Sequence, residues 1–222
     1  TPTGVATPTA SGTATATATA NDTATATGTP TTTPTATPAS LCAAAPRGGC
    51  HTAGKTLLLV KAAGARSTVL WRWLQGDAPL SELGDPTTAT GYALCAYDAA
   101  ALVPSLALRI EVAPGGTCGG PPCWQGLGGT TPTGFNFNDS AGSQQGMQKL
   151  KLKGGTPGRD KLLAKASGAA LVLPPPASAS QLFAQNDDVI VQLVSERGAC
   201  WESVFPPSAV TTNRPDLYKA KR

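Results

Sequence analysis

The stretch Lys149-Leu150-Lys151-Leu152-Lys153 alternates charged and apolar side chains without a break; Gly154-Gly155 and Pro157-Gly158 follow, then Leu162-Leu163-Ala164-Lys165-Ala166. A period of two puts the leucines on one face and the lysines on the other, which is how a half-buried β-strand reads. The Gly-Gly and Pro-Gly steps mark a reversal, so the stretch predicts a hairpin with a lysine-rich outer face. The same pattern extends outward in both directions. Thr56 to Lys61, Val69 to Leu74, Tyr92 to Tyr97, Ser105 to Val112 and Phe135 to Phe137 precede it; Val189 to Val194 and Cys200 to Phe205 follow, joined near Gly198. That makes about nine short strands with Gly/Pro turns and no helical period. The expectation is an all-β, disulfide-pinned β-sandwich or jelly-roll-like head. Cys95 and Cys200 lie too far apart to be the bridge of an immunoglobulin domain.

Residues 1–40 are of another kind: 17 Thr, 10 Ala, 5 Pro and one charge, Asp22. Side chains this small bury too little apolar area to offset chain entropy, so the segment reads as an extended Thr/Ala/Pro-rich tail or linker. Its two ends hold the prolines and favour polyproline II. The centre is Pro-free: Thr13, Thr15, Thr17 and Thr19 alternate with Ala, and Thr23, Thr25 and Thr27 resume the alternation after Asn21-Asp22. Composition supports an O-glycosylated or disordered linker; alternation supports a strand that completes a sheet in another subunit. Fifteen extended residues span roughly 50 Å, against roughly 40 Å for a domain of the remaining size. The head then occupies 41–205, and 206–222 form a polar C-terminal extension whose default state is fraying.

Charged residues make up 14% of the chain and the net charge is +4. With basic residues scattered along the sequence, nothing here argues for nucleic acid, and no apolar run is long enough for a membrane span. A first residue of Thr rather than Met is what signal-peptide removal leaves. The six cysteines suggest an oxidising compartment. Cys42 with Cys50 and Cys118 with Cys123 each close a short loop, which leaves Cys95 with Cys200 as a long-range clip. The competing zinc site lacks the usual ligand spacings.

Candidate chemistry is sparse. His51 is the only histidine, without a nucleophile motif near it, and reads as a surface residue. Asp187-Asp188 lacks the rest of a calcium loop. Glu111, Glu196 and Glu202 are isolated from one another, so no glycosidase pair can be named. Trp71 and Trp73 share one strand face: exposed, they would make a sugar-stacking platform extended by Trp124 or Tyr92; buried, they are core. The lysines of the hairpin read as a solvated face or a protected edge, with attraction to an acidic polysaccharide as a secondary reading. Asn21-Asp22-Thr23 and Asn138-Asp139-Ser140 match the N-glycosylation pattern, and the tail threonines are candidates for O-linked glycans.

A Thr/Pro-rich leader followed by Cys42-Ala-Ala-Ala-Pro-Arg-Gly-Gly-Cys50, a Tyr92-Ala-Leu-Cys95 strand and Gly198-Ala-Cys200-Trp201 resembles uncharacterised secreted bacterial β-domain proteins. The likeness implies a location and no site. The sequence therefore leads to a non-catalytic extracellular or cell-surface structural subunit of a filament, pilus-like appendage or surface layer. It would self-associate into a homopolymer through its tail and need no cofactor. The alternative is a carbohydrate-binding or adhesive module on an O-glycosylated stalk.

Overall fold

The computed structural model describes residues 40–98, 104–184 and 188–222; the tail threonines Thr13 to Thr27 and Asp187 lie outside these. The chain is nearly all β, in two antiparallel sheets. The larger sheet holds β1 (Ala53–Lys61), β2 (Thr68–Gly76), β5 (Trp124–Leu127), β6 (Gly134–Asn138), β7 (Met147–Lys153), β8 (Asp160–Ser167), β11 (Val210–Arg214) and β12 (Leu217–Lys221). Its order is β11-β12-β1-β2-β8-β7-β6-β5. The smaller sheet holds β3 (Tyr92–Asp98), β4 (Ser105–Val112), β9 (Val189–Ser195) and β10 (Cys200–Phe205), in the order β10-β9-β3-β4. Among the described residues the one α-helix is the four-residue α1 (Leu80–Leu83), which follows β2; a short 3-10 turn, Pro207–Ala209, precedes β11.

The alternation in the sequence explains the packing. On β7, Leu150 and Leu152 are buried and the lysines between them exposed; β8 buries Leu162, Ala164 and Ala166 and exposes Lys161 and Lys165. The two strands pair as the expected hairpin, with Leu152 opposite Leu162. Between the sheets lies a core whose largest side chains include Trp71, Trp73, Trp201, Phe137 and Phe205. Trp71 and Trp73 also tie the layers together. The Trp71 indole N–H on β2 donates to Ser203 Oγ on β10 at 2.9 Å, and that of Trp73 to the Glu202 carbonyl at 3.1 Å. Trp73 lies so close over Gly76 that a Cβ there would fall 2.1 Å from its ring, so that position has to be glycine.

The C-terminal segment corrects the expected boundary at residue 205. Residues 206–222 do not form a frayed extension: β11 and β12 make a hairpin whose second strand pairs with β1, and Tyr218 and Ala220 enter the core. The Tyr218 ring meets Phe183 edge-on at 4.8 Å. The pattern of Leu217-Tyr218-Lys219-Ala220-Lys221 is too short to identify a strand by itself; its partner β1 supplies the missing hydrogen bonds.

All three tyrosines are buried. Burial pushes the Tyr92 phenol well above its ordinary range, with Arg197 opposing slightly; burial and then the Asp98 charge do the same for Tyr218. Tyr97 is raised by burial and partly offset by Arg47. A raised phenol contributes stability that is complete below the unfolded-state value near 10 and is lost as the pH climbs toward the folded-state value, because only the unfolded chain releases its protons readily there. Stability should therefore fall above about pH 10, and phenolate absorbance should appear together with loss of near-UV circular dichroism. A phenol that titrates reversibly near 10 in the folded chain would contradict this burial.

Candidate functional site

The ten residues after the tail, Leu41-Cys42-Ala43-Ala44-Ala45-Pro46-Arg47-Gly48-Gly49-Cys50, are small, proline-interrupted and end on a Gly-Gly pair. They cannot form a strand, and they run as a strap across the outer face of the smaller sheet. The strap meets the four strands in turn. Ser40 Oγ and the Leu41 N–H donate to Glu111 of β4 at 2.7 and 3.1 Å. Cys42 is disulfide-bonded to Cys95 of β3. On β9, the Gln192 side chain accepts from the Arg47 N–H at 3.0 Å and donates to the Arg47 carbonyl at 2.7 Å. Gln192 thus pairs with the strap as a neighbouring strand's backbone would. Cys50 is disulfide-bonded to Cys200 of β10. His51 then bridges the edge of β10: its N–H donates to the Cys200 carbonyl, and its carbonyl accepts from Glu202 N–H.

Beneath the strap, Ala93, Cys95, Tyr97, Val194 and Cys200 form a second apolar cluster, separate from the main core. Arg47 braces the strap from within by donating to the Leu41 carbonyl at 2.9 Å.

At the strap's end the His51 ring lies over Trp201, and its Nε2 is 2.7 Å from Glu82 Oε2 on α1. Gly48, Gly49, His51, Glu82, Arg197 and Gly198 line an open cleft of about 420 Å³ there. The imidazole nitrogen facing Glu82 joins α1 to the edge of β10. All six cysteines are in disulfides, so the cleft has no thiol to act as a nucleophile. Among the described residues no group of three or more His, Cys, Asp or Glu could hold a metal ion.

Two expectations are corrected here. Cys118 does pair with Cys123, but Cys42 pairs with Cys95 and Cys50 with Cys200, not Cys42 with Cys50 and Cys95 with Cys200. The short loop that sequence proximity suggested is an extended strap, which carries its two cysteines to different strands. Trp71 and Trp73 form no sugar platform: both are completely buried, Trp124 is buried against Tyr92 and Phe137, and the indole N–H groups of Trp71, Trp73 and Trp124 are taken by protein acceptors. Glu111, Gln192 and Arg47 were not singled out by the sequence as a set. The isolated acid on a predicted strand proves to hold the strap's first two residues.

No protein-family model, curated protein or solved structure matches the chain. The functional reading rests on the molecule's own geometry. Three disulfides fit an oxidising compartment, and among the described residues no helix is long and apolar enough to cross a membrane.

A disulfide stabilises mainly by restricting the unfolded chain, and more so for longer loops. The strap bridges span 53 and 150 residues, against 5 for Cys118–Cys123. Replacing either strap pair by serines should lower unfolding free energy by on the order of 2–5 kcal/mol, and replacing Cys118 and Cys123 by clearly less. Urea titrations of the three double variants test that order; equal losses would remove the strap's special role.

Proposed function

We propose that the protein is a non-catalytic extracellular structural subunit, of a filament, pilus-like appendage or surface layer, joined to neighbouring copies through its Thr/Ala-rich N-terminal tail. The observation that carries this reading is the strap. The segment that directly follows the tail in sequence is attached to every strand of the smaller sheet, twice covalently. A passive linker gains nothing from such a root. A tail that holds a neighbour needs one, because a pull on it would otherwise peel residues 40–50 off the sheet one hydrogen bond at a time.

A second observation supports strand addition as the joining mode. Among the described residues β4 pairs with β3 alone, so one long edge of the smaller sheet is open. The side-chain carbonyl of Gln145 accepts from the Glu111 N–H and that of Gln144 from the Ala113 N–H just past the strand, while residues 170–175 flank Ala107 to Arg109 across a pocket and form no ladder with them. An open edge is a template for another strand, and main-chain hydrogen bonds supply the adhesion. Eight residues of β4 extend about 27 Å, which the alternating Thr/Ala run is long enough to match. Glycans on outward threonines would leave the hydrogen-bonding edge of that run free.

Sedimentation of the full chain and of a chain lacking residues 1–39, both oxidised, tests the proposal. The full chain should assemble into high-mass polymers and the shortened chain should stay monomeric with unchanged circular dichroism. A peptide of residues 13–27 added in trans should cap growth. A shortened chain that still polymerises would overturn the tail's role.

A further inference from the structure

The larger sheet has an outer face that neither the core nor the strap covers, and its charge is one-signed. On β7, Lys149, Lys151 and Lys153 point away from the core, and on β8 so do Lys161 and Lys165. Register carries the field onward: Lys161 lies opposite Leu74 and Leu163 opposite Arg72 of β2. On β1, Lys55 and Lys61 share that side, and Lys219 and Lys221 of β12 extend it. Ten of the 17 Lys and Arg thus stand on five adjacent strands, leaving seven cations against 13 acids for the rest of the sequence. The modest net charge of +4 conceals this segregation. The one acid within any strand of the larger sheet is Asp160; it faces inward, buried, and accepts from the Ala78 and Thr156 N–H groups.

Ordinary structural reasons do not account for the pattern. Lysines protect sheet edges, but β1, β2, β7 and β8 are interior strands and β12 is flanked by β11. Solubility is served by interspersed signs. Here Lys149 faces Lys165 directly across the ladder and Lys153 faces Lys161, and like charges in opposed positions destabilise a sheet. One Glu in either pair would relieve the repulsion. Among the described residues none of the ten takes part in an ion pair.

We propose that this face binds an acidic polysaccharide, a linear chain carrying carboxylate or sulfate groups. Neighbouring strands lie about 4.8 Å apart and alternate residues about 6.8 Å apart, so the cations form a two-dimensional lattice some 20 Å wide that a flexible polyanion can cross in several registers. The face argues against other polyanions. It has no aromatic side chain on which bases could stack, as single-stranded nucleic acid requires. Its leucines are half-buried between the cations, and the one large exposed apolar side chain among the described residues, Val172, lies outside its strands, so the face has no wedge for a bilayer. Contacts of this kind release condensed counterions and weaken steeply with salt. The proposal stands apart from the tail's role: a monomeric chain would bind equally well by this face.

Titration of the full chain with polygalacturonate and with dextran sulfate, each at low and at physiological ionic strength, separates the carboxylate and sulfate sources; neutral dextran serves as blank. The triple variant Lys151→Gln, Lys153→Gln, Lys161→Gln should bind the preferred acidic polymer roughly tenfold or more weakly and with a shallower salt dependence. The control Arg47→Gln, Arg109→Gln, Arg197→Gln removes the same charge from the strap, β4 and the β9–β10 turn, away from the face, and should bind nearly as the parent does. Lys165→Glu gives Lys149 an opposite-charge partner; it should raise the melting temperature while it weakens binding, which a purely structural lysine field would not do. The proposal fails if neither polymer binds, if the control triple loses as much as the lysine triple, or if phosphatidylglycerol vesicles or oligo(dT) bind more tightly than both polysaccharides.

Discussion

Strand β3 is buried along its whole length, on both faces, and this constraint organises the molecule. A sheet four strands wide can rest one face on a partner sheet, but the side that carries Ala93, Cys95 and Tyr97 is as apolar as the core and cannot be left to water. The described residues add no third layer of secondary structure, and the cover comes from an irregular segment. An irregular cover exposes its own backbone groups to desolvation, and each of them needs an acceptor or donor. That is why the polar side chains of Glu111 and Gln192 stand where the strap crosses their strands. The disulfides then fix what hydrogen bonds alone would hold loosely.

The two sheets divide the molecule's surfaces unequally. The smaller is enclosed by core on one side and strap on the other, so only its edges meet the surroundings. The larger is twice as wide in strands and exposes one complete face. Two surfaces bear on the proposals above: the backbone edge at β4 and the charged lattice across β12 to β7. Under those proposals the first would take an extended chain and the second a polyanion; neither uses the cleft at His51, whose polar groups join the strap's end to α1.

How far the sequence could be read follows from which signals are local. Strands with strong alternation or apolar runs, such as Lys149 to Lys153 and Val189 to Val194, stand out because their own residues specify which face is buried. β5, β11 and β12 do not: Trp124-Gln125-Gly126-Leu127 is carried by its hairpin partner β6, and the β11–β12 hairpin is held by β1, far away in the chain. Cysteine pairing failed for the same reason, since loop length favours Cys42 with Cys50 only if the segment between them turns back, and Pro46 with the extended strap prevents it. The hairpin lysines were legible as an outer face. Their continuity with Arg72, Lys55 and Lys221 depends on strand order, which no period in the sequence encodes.

The Cys50–Cys200 bridge also determines which parts of the chain lie on the line of a mechanical pull. The shortest covalent route from the tail to Arg222 runs along the strap to Cys50, crosses the sulfurs to Cys200 and leaves through β10, β11 and β12. Strands β1 to β9 hang in a closed ring beside that route. While the bridge is intact, a pull between the chain ends cannot extend the 150-residue segment it encloses, a length of about 500 Å when drawn out. Reduction would place that whole length in series with the pull. In an oxidising medium that enclosed segment stays out of the path of the pull, which then acts only on the tail, the strap and residues 200–222.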